Sequence, residues 1–255
     1  MPSQNALVVL AEFGDGGLIA PGLAGAVLRP TDARRLGLAM LRDCVEKAHH
    51  CAGFDPIVAY FPPHRRGEAA EAAGVRDVWA EPMAGPSRGT RAAGFMRHLI
   101  EERTYRTAVV LFPHFPHLER KFLFAAAQAL RSPRVVAFGA SPEGGLGFLG
   151  VCEAVPPTLG EALDGTDAPA RIAAAAQGAG LSARSTVIPE PLSTESALAQ
   201  AVFDLRASIA TGTLAGDDLP LHTLETFDGL GLVATLSARG AVELQRAGPP
   251  GPPRS

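Results

Sequence analysis

The sequence predicts an α/β fold with a mixed, mostly parallel sheet. Continuous apolar runs of strand length, beginning at residues 6–10, alternate along the chain with segments of helical periodicity. This alternation is typical of strands joined by helical crossovers, a topology that places ligands at the carboxyl ends of the strands. The run at 148–151 follows the strand at 134–138 too closely for a helical crossover, which indicates one antiparallel strand.

The first half of the chain has the clearest pattern. Residues 6–10 are apolar throughout, as expected for a strand buried on both faces, and a glycine-rich loop follows at 13–17. Thr31 and Asp32 are typical helix-start residues, and apolar residues recur at helical spacing from there to about residue 49. The remaining elements are predicted as a strand at 56–61, a helix at 68–73, a strand at 77–80 and a helix at 90–103.

The second half continues the alternation and then weakens. Strands are predicted at 108–112, 134–138, 148–151 and 184–188, and helices at 118–129, 168–178 and 195–209. The Gly- and Pro-rich end of the chain has the composition of a disordered tail. We therefore predict one α/β domain at 1–210, an extension packed on it at 211–246, and a disordered tail at 247–255.

Composition excludes several classes of function. The 255 residues carry a formal net charge of −3, with only two lysines and with arginines spread along the chain. A nucleic-acid groove needs a basic stripe, so nucleic-acid binding is disfavoured. Three cysteines without a C-x-x-C pair suit a reducing compartment, and no apolar stretch reaches membrane-spanning length. We expect a cytoplasmic protein with no membrane partner.

Three stretches share the spacing and hydrophobic frame of one bacterial family. They are an apolar strand with its loop at 7–24, the segment 111–118, and the segment 139–151 with its Glu-Gly-Gly sequence. On these stretches the chain resembles nucleotide-diphospho-sugar transferases of glycosyltransferase A type. It resembles most the uncharacterised glycosyltransferase-like proteins associated with radical-SAM or arsenosugar gene clusters. The resemblance implies a single Rossmann-like domain and glycosyl or nucleotidyl transfer.

The residues that carry the family's chemistry are replaced in this chain. The phosphate-facing Lys and Arg of the family fall on Ala20 and Gly22. Two Asp of its metal-binding loop fall on His114 and His117, and the Asp of its Asp-Gly-Gly motif falls on Glu143. Carboxylates suit the Mg²⁺ or Mn²⁺ that bridges a diphosphate, whereas imidazole suits Zn²⁺, Fe²⁺ or Ni²⁺. The resemblance therefore implies a transferase scaffold with a degenerate phosphate and metal site.

Two sets of residues are candidates for ligand binding. His114, His117 and Glu143 form a potential two-histidine, one-carboxylate site for a divalent metal; alternatively, the histidines lie in a degenerate loop, exposed or bonded to backbone. Candidates for binding a nucleotide-sugar or another small anion are Glu12, Asp15, Gly16, Arg88, Gly144 and Gly145. For these, the alternatives are ordinary turns at the glycines and Asp15, and a solvated arginine at 88.

Three hypotheses for function stay open on the sequence. The first is a transferase that uses or makes a nucleotide-activated sugar with an altered metal loop. The second is a non-catalytic relative that keeps the scaffold to bind a partner enzyme or a small ligand. The third is a metalloprotein with a His/His/Glu site. The second is favoured because the chain lacks both the family's phosphate-facing cations and its metal-binding carboxylates. The family's chemistry depends on both groups to neutralise charge at the leaving diphosphate.

Overall fold

The computed structural model describes residues 4–14, 21–25, 27–74, 78–214, 216–238 and 240–247. The strands are β1 Asn5–Glu12, β2 Asp55–Phe61, β3 Trp79–Pro82, β4 Thr107–Leu111, β5 Val135–Ala140, β6 Leu146–Cys152, β7 Ser182–Val187, β8 Leu232–Leu236 and β9 Val242–Arg246. The helices are α1 Pro30–His49, α2 Arg66–Ala73, α3 Arg88–Arg97, α4 Arg120–Ala129, α5 Leu159–Leu163, α6 Ala168–Gly178, α7 Glu195–Thr211 and α8 Leu221–Gly229.

Seven strands form the central sheet, in the order β3-β2-β1-β4-β6-β5-β7. All neighbouring pairs are parallel except those of β6, which runs antiparallel to β4 and to β5. The predicted α/β fold with a mixed, mostly parallel sheet is therefore confirmed, and so is the antiparallel strand. Because β1 and β4 lie side by side in parallel, the loops that follow them meet at one edge of the sheet.

The main core lies on both faces of this sheet. The apolar residues at the centres of β1 and β4 are almost completely inaccessible, as their continuous apolar runs predict. Glycines in β5 and β6 make room for large neighbours; a Cβ on Gly139 would meet the Phe148 ring at 2.3 Å. The register of the β5–β6 pair shifts at Gly139 and Ala140, directly before the turn into β6.

A second hydrophobic cluster joins the C-terminal elements to α1. It contains Leu36 and Met40 of α1, Val202 of α7, Phe227 of α8 and Leu232 of β8. The region from residue 211, weakly patterned in sequence, thus contains a helix and the two-stranded antiparallel β8–β9 sheet. The division at residue 210 stays a prediction, and the predicted tail falls outside the described residues from 248 onward.

Several element boundaries differ from the predicted ones. The helix predicted at 90–103 begins at Arg88, with Ser87 as N-cap, and changes to π-helical geometry at His98–Glu102. Ser87 Oγ accepts a hydrogen bond from the Thr90 amide at 3.1 Å, which fixes the start. The short helix α5 was not predicted, because five residues are too few for a periodic pattern. Among the described helices, none combines the length and apolar character needed to cross a membrane.

Candidate functional site

A first cavity opens beyond the carboxyl end of β4. Its volume is about 260 Å³, and it lies between the start of α3, the loop after β4, the β5–β6 turn and the segment before α7. The described lining residues are Arg88, Gly89, Ala92, Phe112, His114, Phe115, Gly144, Gly145, Leu146, Leu163, Ala168, Pro191 and Ser193. Arg88 is the one permanently charged side chain among these, so the described part of the lining carries positive charge.

A second cavity lies beside the first, between the same loops and α7. Its volume is about 620 Å³. The described lining residues are His117, Glu119, Glu143, Pro189, Glu190, Ser196, Ala197, Gln200, Ala201, Asp204, Leu205, Ser208, Thr213 and Leu214. Adjacent residues divide between the cavities: Glu143 lines the second and Gly144 the first, and Glu190 and Pro191 divide in the same way. The two cavities therefore share a wall built from the β5–β6 turn and the segment after β7.

Hydrogen bonds from α1 hold the loop after β4 in place. The buried Lys47 ammonium donates hydrogen bonds to the carbonyls of Pro116, at 2.7 Å, and of Leu118. Cys44 Sγ lies 3.8 Å from the carbonyl of Pro113. Burial lowers the pKa of Lys47. Sequence reasoning gave Lys47 no role, although its position on the apolar stripe of α1 was an available signal.

The two histidines of this loop face different cavities. His114 lines the first cavity, and its carbonyl accepts a hydrogen bond from the Leu192 amide at 2.7 Å. His117 lines the second cavity, stacks on Phe115 with the ring centroids 6.4 Å apart, and hydrogen-bonds the backbone of Glu190. Burial, helped by the positive charge of Lys47, lowers the pKa of His117 to about 4. His117 is therefore a neutral imidazole at physiological pH.

The predicted metal set is not gathered into one cluster. Glu143 is exposed at the second cavity, and its amide donates to Glu190 Oε1 at 3.1 Å. Among the described residues, the metal-capable group whose ligand atoms all lie within 4.8 Å of one another is Asp43, Glu46 and His222, away from this loop. The described residues of the loop after β4 thus do not fit a carboxylate-held divalent ion.

The Asp43 group joins α1 to α8. Asp43 accepts hydrogen bonds from the amides of His222, at 2.9 Å, and Thr223, at 2.8 Å, and from the Thr223 hydroxyl. These amides belong to the first turn of α8, whose own N-cap Pro220 provides no side-chain acceptor. Asp43 is therefore an N-cap supplied by another helix, and the His222–Glu46 contact at 2.7 Å lies beside it.

The two glycines at 144 and 145 form a tight turn that also lies at the first cavity. Gly144 has φ +89° with open space at its Cβ position, as a tight turn requires. A Cβ on Gly145 would come within 2.9 Å of Pro191 and of Ser141 Oγ, and that hydroxyl accepts a hydrogen bond from the Gly145 amide at 2.9 Å. Gly144 thus sets the turn, and Gly145 lets it pack against the segment after β7 at the rim of the first cavity.

Glu12 and two arginines form a charged group at the end of β1. Glu12 contacts Arg91 Nε at 2.9 Å and Arg88 Nε at 3.3 Å. Arg91 is 12% exposed, lies over the Phe61 ring and donates to the Gly85 carbonyl. Its guanidinium is therefore engaged in contacts within the protein. Arg88 is 45% exposed and lies over the Phe112 ring, 4.9 Å from its centroid. Arg88 is therefore the arginine that can meet a ligand in the first cavity.

The N-terminus of α3 is occupied by the protein's own carboxylate. Asp164 Oδ1 accepts a hydrogen bond from the Gly89 amide at 2.7 Å, and its other oxygen bonds Ser87 Oγ. A helix N-terminus attracts anions, and here Asp164 takes that place. An anionic ligand in the first cavity must therefore rely on the Arg88 side chain rather than on the helix amides.

The loop after β1 is only partly described. Asp15, Gly16 and Ala20 fall outside the described residues. Gly22 packs against the backbone of the segment before α7, and a Cβ there would lie 2.5 Å from the Ser193 carbonyl oxygen. A side chain at position 22 is therefore excluded on steric grounds.

Comparisons with known proteins identify the fold. No protein-family profile and no curated protein matches the sequence. A candidate nucleotide-diphospho-sugar transferase from Desulfovibrio desulfuricans G20 superposes with a TM-score of 0.71 at 16% identity, covering 89% of this chain and 96% of that one. A CMP-2-keto-3-deoxy-manno-octonic acid synthetase, solved with CTP, gives 0.52 at 13% identity, covering 82% and 100%.

A third solved structure agrees with these two. The 4-diphosphocytidyl-2C-methyl-D-erythritol synthase from Anaerococcus prevotii DSM 20548 gives a TM-score of 0.53 at 9% identity, covering 80% of this chain and 97% of that one. At such identities the likeness establishes architecture and leaves the residues of the site to be judged on their own chemistry. The chain therefore has the α/β fold of the nucleotide-diphospho-sugar transferases and cytidylyltransferases.

Proposed function

We propose that this chain is a transferase-like protein that binds a nucleotide-activated sugar, or a related nucleotide, in the first cavity. The observation that carries the proposal is the position of Arg88, a half-exposed cation stacked over Phe112 in a cavity with no described acidic lining residue. The cavity opens where this fold class binds ligands, at the carboxyl ends of the central strands. The solved synthetase with CTP supports a nucleotide as the ligand class.

In this proposal the cavity residues divide the work of holding the ligand. The Arg88 guanidinium contacts a phosphate, in place of the loop cations lost at Ala20 and Gly22. Phe112 and Phe115 supply apolar walls, and Ser193 is the hydroxyl residue of the described lining that can orient a polar group of the ligand. Glu12 competes with the ligand for Arg88, so we expect modest affinity.

A second candidate, binding without catalysis, is favoured by the charges around the cavity. Metal-assisted transfer needs hard oxygen ligands near the diphosphate. None of the described lining residues of the first cavity is a carboxylate: Glu143 lines the second cavity, and Asp164 is bonded to the Gly89 amide and to Ser87 Oγ. The proposed association with radical-SAM or arsenosugar gene clusters rests on the sequence resemblance alone.

Calorimetric titration tests the proposal. CTP, UDP-glucose and GDP-mannose are titrated into the full chain with and without Mn²⁺. Arg88→Gln should weaken binding about 10- to 100-fold, the loss expected for a charge-assisted hydrogen bond to phosphate. Arg97→Gln is the matched control, because Arg97 lies on the same helix at 40% exposure and does not line the cavity. Absence of heat with every nucleotide would reject the proposal.

A complementary variant tests the competition for Arg88. Glu12→Gln removes the carboxylate that contacts Arg88 at 3.3 Å, so we expect nucleotide binding to tighten several-fold. If Arg88→Gln weakened binding and Glu12→Gln left it unchanged, Arg88 would contact the ligand without first giving up its ion pair. Weaker binding in the Glu12 variant would instead assign the carboxylate itself to the ligand.

A further inference from the structure

We propose that the first cavity selects a ligand with a single phosphate ester, a nucleoside monophosphate, and binds it without a divalent metal ion. This inference rests on the function proposed above and narrows its ligand class. It follows from the donor set, the charges and the volume of the cavity.

The described lining of the first cavity offers no carboxylate for a Mg²⁺ ion. Mg²⁺ that accompanies nucleotide phosphates is usually held by one or two carboxylates together with the phosphates. The lining residue of the loop after β4 is His114, and imidazole suits softer metals. Glu12 lies at the end of β1, but its two oxygens contact Arg88 and Arg91. The charge of a bound phosphate must therefore be neutralised by protein side chains.

The cations at the cavity can neutralise about one phosphate group. Among the described lining residues, Arg88 is the one permanently charged side chain, and it contacts Glu12 at 3.3 Å. Residues 13–28, between β1 and α1, include neither lysine nor arginine, so that segment adds no cation. A phosphate monoester carries a charge of about −1.5 to −2 at neutral pH. Each further phosphate adds negative charge that no described lining cation opposes.

Carboxylates border the cavity on two sides. Asp164 occupies the N-terminus of α3, next to the lining residues Gly89 and Leu163. Glu143 and Glu190 lie across the shared wall, in the second cavity. A chain of phosphates that extended toward either side would approach like charges, which raises the free energy of the complex. These surroundings favour a ligand with one phosphate over a di- or triphosphate.

The volume of the cavity agrees with a compact ligand. About 260 Å³ lies below the roughly 300–1,000 Å³ that small-molecule sites usually offer. Phe112, Phe115 and Leu146 give the lining apolar surface, and the Arg88 guanidinium lies over the Phe112 ring. A ring system can therefore pack against the apolar walls while a single phosphate contacts Arg88.

Calorimetric titration with matched nucleotide series tests this inference. The mono-, di- and triphosphates of cytidine, uridine and guanosine are titrated into the full chain, each with Mg²⁺ and with EDTA. For the nucleoside that binds best, we expect the monophosphate to bind about fivefold or more tightly than the triphosphate, the factor of one weak charge pair. Mg²⁺ should change either affinity by less than about twofold, because no described lining carboxylate holds the ion.

A substitution that adds a carboxylate tests the reason for metal independence. His114→Asp places a carboxylate on the lining of the first cavity, so Mg²⁺ should strengthen triphosphate binding several-fold in this variant. His64→Asp is the matched control, because His64 is exposed and lines neither cavity. Mg²⁺ should leave triphosphate binding to the control unchanged. Thermal denaturation checks that both variants are folded.

The possible failures of the two proposals are distinguishable. A triphosphate that binds more tightly than its monophosphate, or Mg²⁺-strengthened binding to the wild type, would overturn this inference and leave the proposed function intact. Absence of heat with every nucleotide would reject both. If Mg²⁺ had no effect on triphosphate binding to folded His114→Asp, the missing carboxylate would not explain metal independence, and the inference would be overturned.

Discussion

Two glycines of α3 offer a direct test of how the first cavity is built. Gly89 and Gly94 lie on the same helix, but only Gly89 faces α5. A Cβ on Gly89 would lie 2.1 Å from the Gly160 carbonyl oxygen and 2.8 Å from Leu163 Cβ, whereas a Cβ on Gly94 meets no atom within 4 Å. The first contact is with backbone, so no side-chain rotation relieves it.

The two alanine substitutions should therefore act in opposite directions. Gly94→Ala gains helix propensity without a clash and should stabilise the protein by about 0.5–1 kcal/mol. Gly89→Ala has little propensity to gain at the second helical position and must push α3 away from α5 by about 1 Å. Overpacking of this kind costs about 1–3 kcal/mol. The two variants should differ by about 1.5–4 kcal/mol.

Urea denaturation at pH 7.5 measures both values. For a chain of this size the difference corresponds to several degrees in Tm, at about 2–4 °C per kcal/mol. Because Gly89 lines the first cavity, its variant should also weaken nucleotide binding, whereas the Gly94 variant should not. Equal stability of the two variants would refute the close packing of α3 on α5.

Three further substitutions test other contacts around the site. Lys47→Met leaves the Pro116 and Leu118 carbonyls without their donor and should destabilise the protein by about 2–4 kcal/mol in urea denaturation. The surface control Lys121→Met should cost less than about 0.5 kcal/mol, and equal losses would contradict the role of Lys47 in holding the loop after β4. Folding lowers the pKa of His117 from 6.5 to about 4. Between these pH values the unfolded state binds more protons than the folded state, so the free energy of unfolding decreases as the pH falls below 6.5. Between pH 7.5 and 4.5 the wild type should lose about 2–3 kcal/mol more than His117→Phe, and parallel pH profiles would exclude a neutral buried imidazole. Asp43→Asn replaces one of the two oxygens that accept from the α8 amides with an NH₂ donor and should destabilise the protein by about 1–3 kcal/mol. Thermal denaturation measures this change, and an unchanged Tm would contradict the role of Asp43 as the N-cap of α8.

Much of the fold follows from local sequence pattern. Completely buried strands such as β1 and β4 leave uninterrupted apolar runs, and the short spacing before β6 requires an antiparallel strand. The β8–β9 pair was missed because it is buried on one face only and lies in a small separate sheet. The local sequence pattern indicates burial and element spacing, so elements that are only half buried are difficult to predict from it.

The site was less predictable than the fold, because it depends on which way each side chain turns. His114 and His117 are three residues apart, yet two consecutive turns, from Phe112 to Phe115 and from Phe115 to Leu118, direct them into different cavities. Lys47 precedes the loop that it holds by about 70 residues, and nothing in the local pattern connects the two. Arg88 was identified from sequence, but its competition between Glu12 and the cavity required coordinates.

The central claim is that the first cavity binds a nucleotide through Arg88. The measurement that tests it most directly is calorimetric titration of CTP and of UDP- and GDP-sugars into the wild type, Arg88→Gln and Arg97→Gln. We predict saturable binding that Arg88→Gln weakens about 10- to 100-fold and Arg97→Gln leaves within about twofold. Absence of binding to the wild type, or equal affinity in all three proteins, would contradict the account.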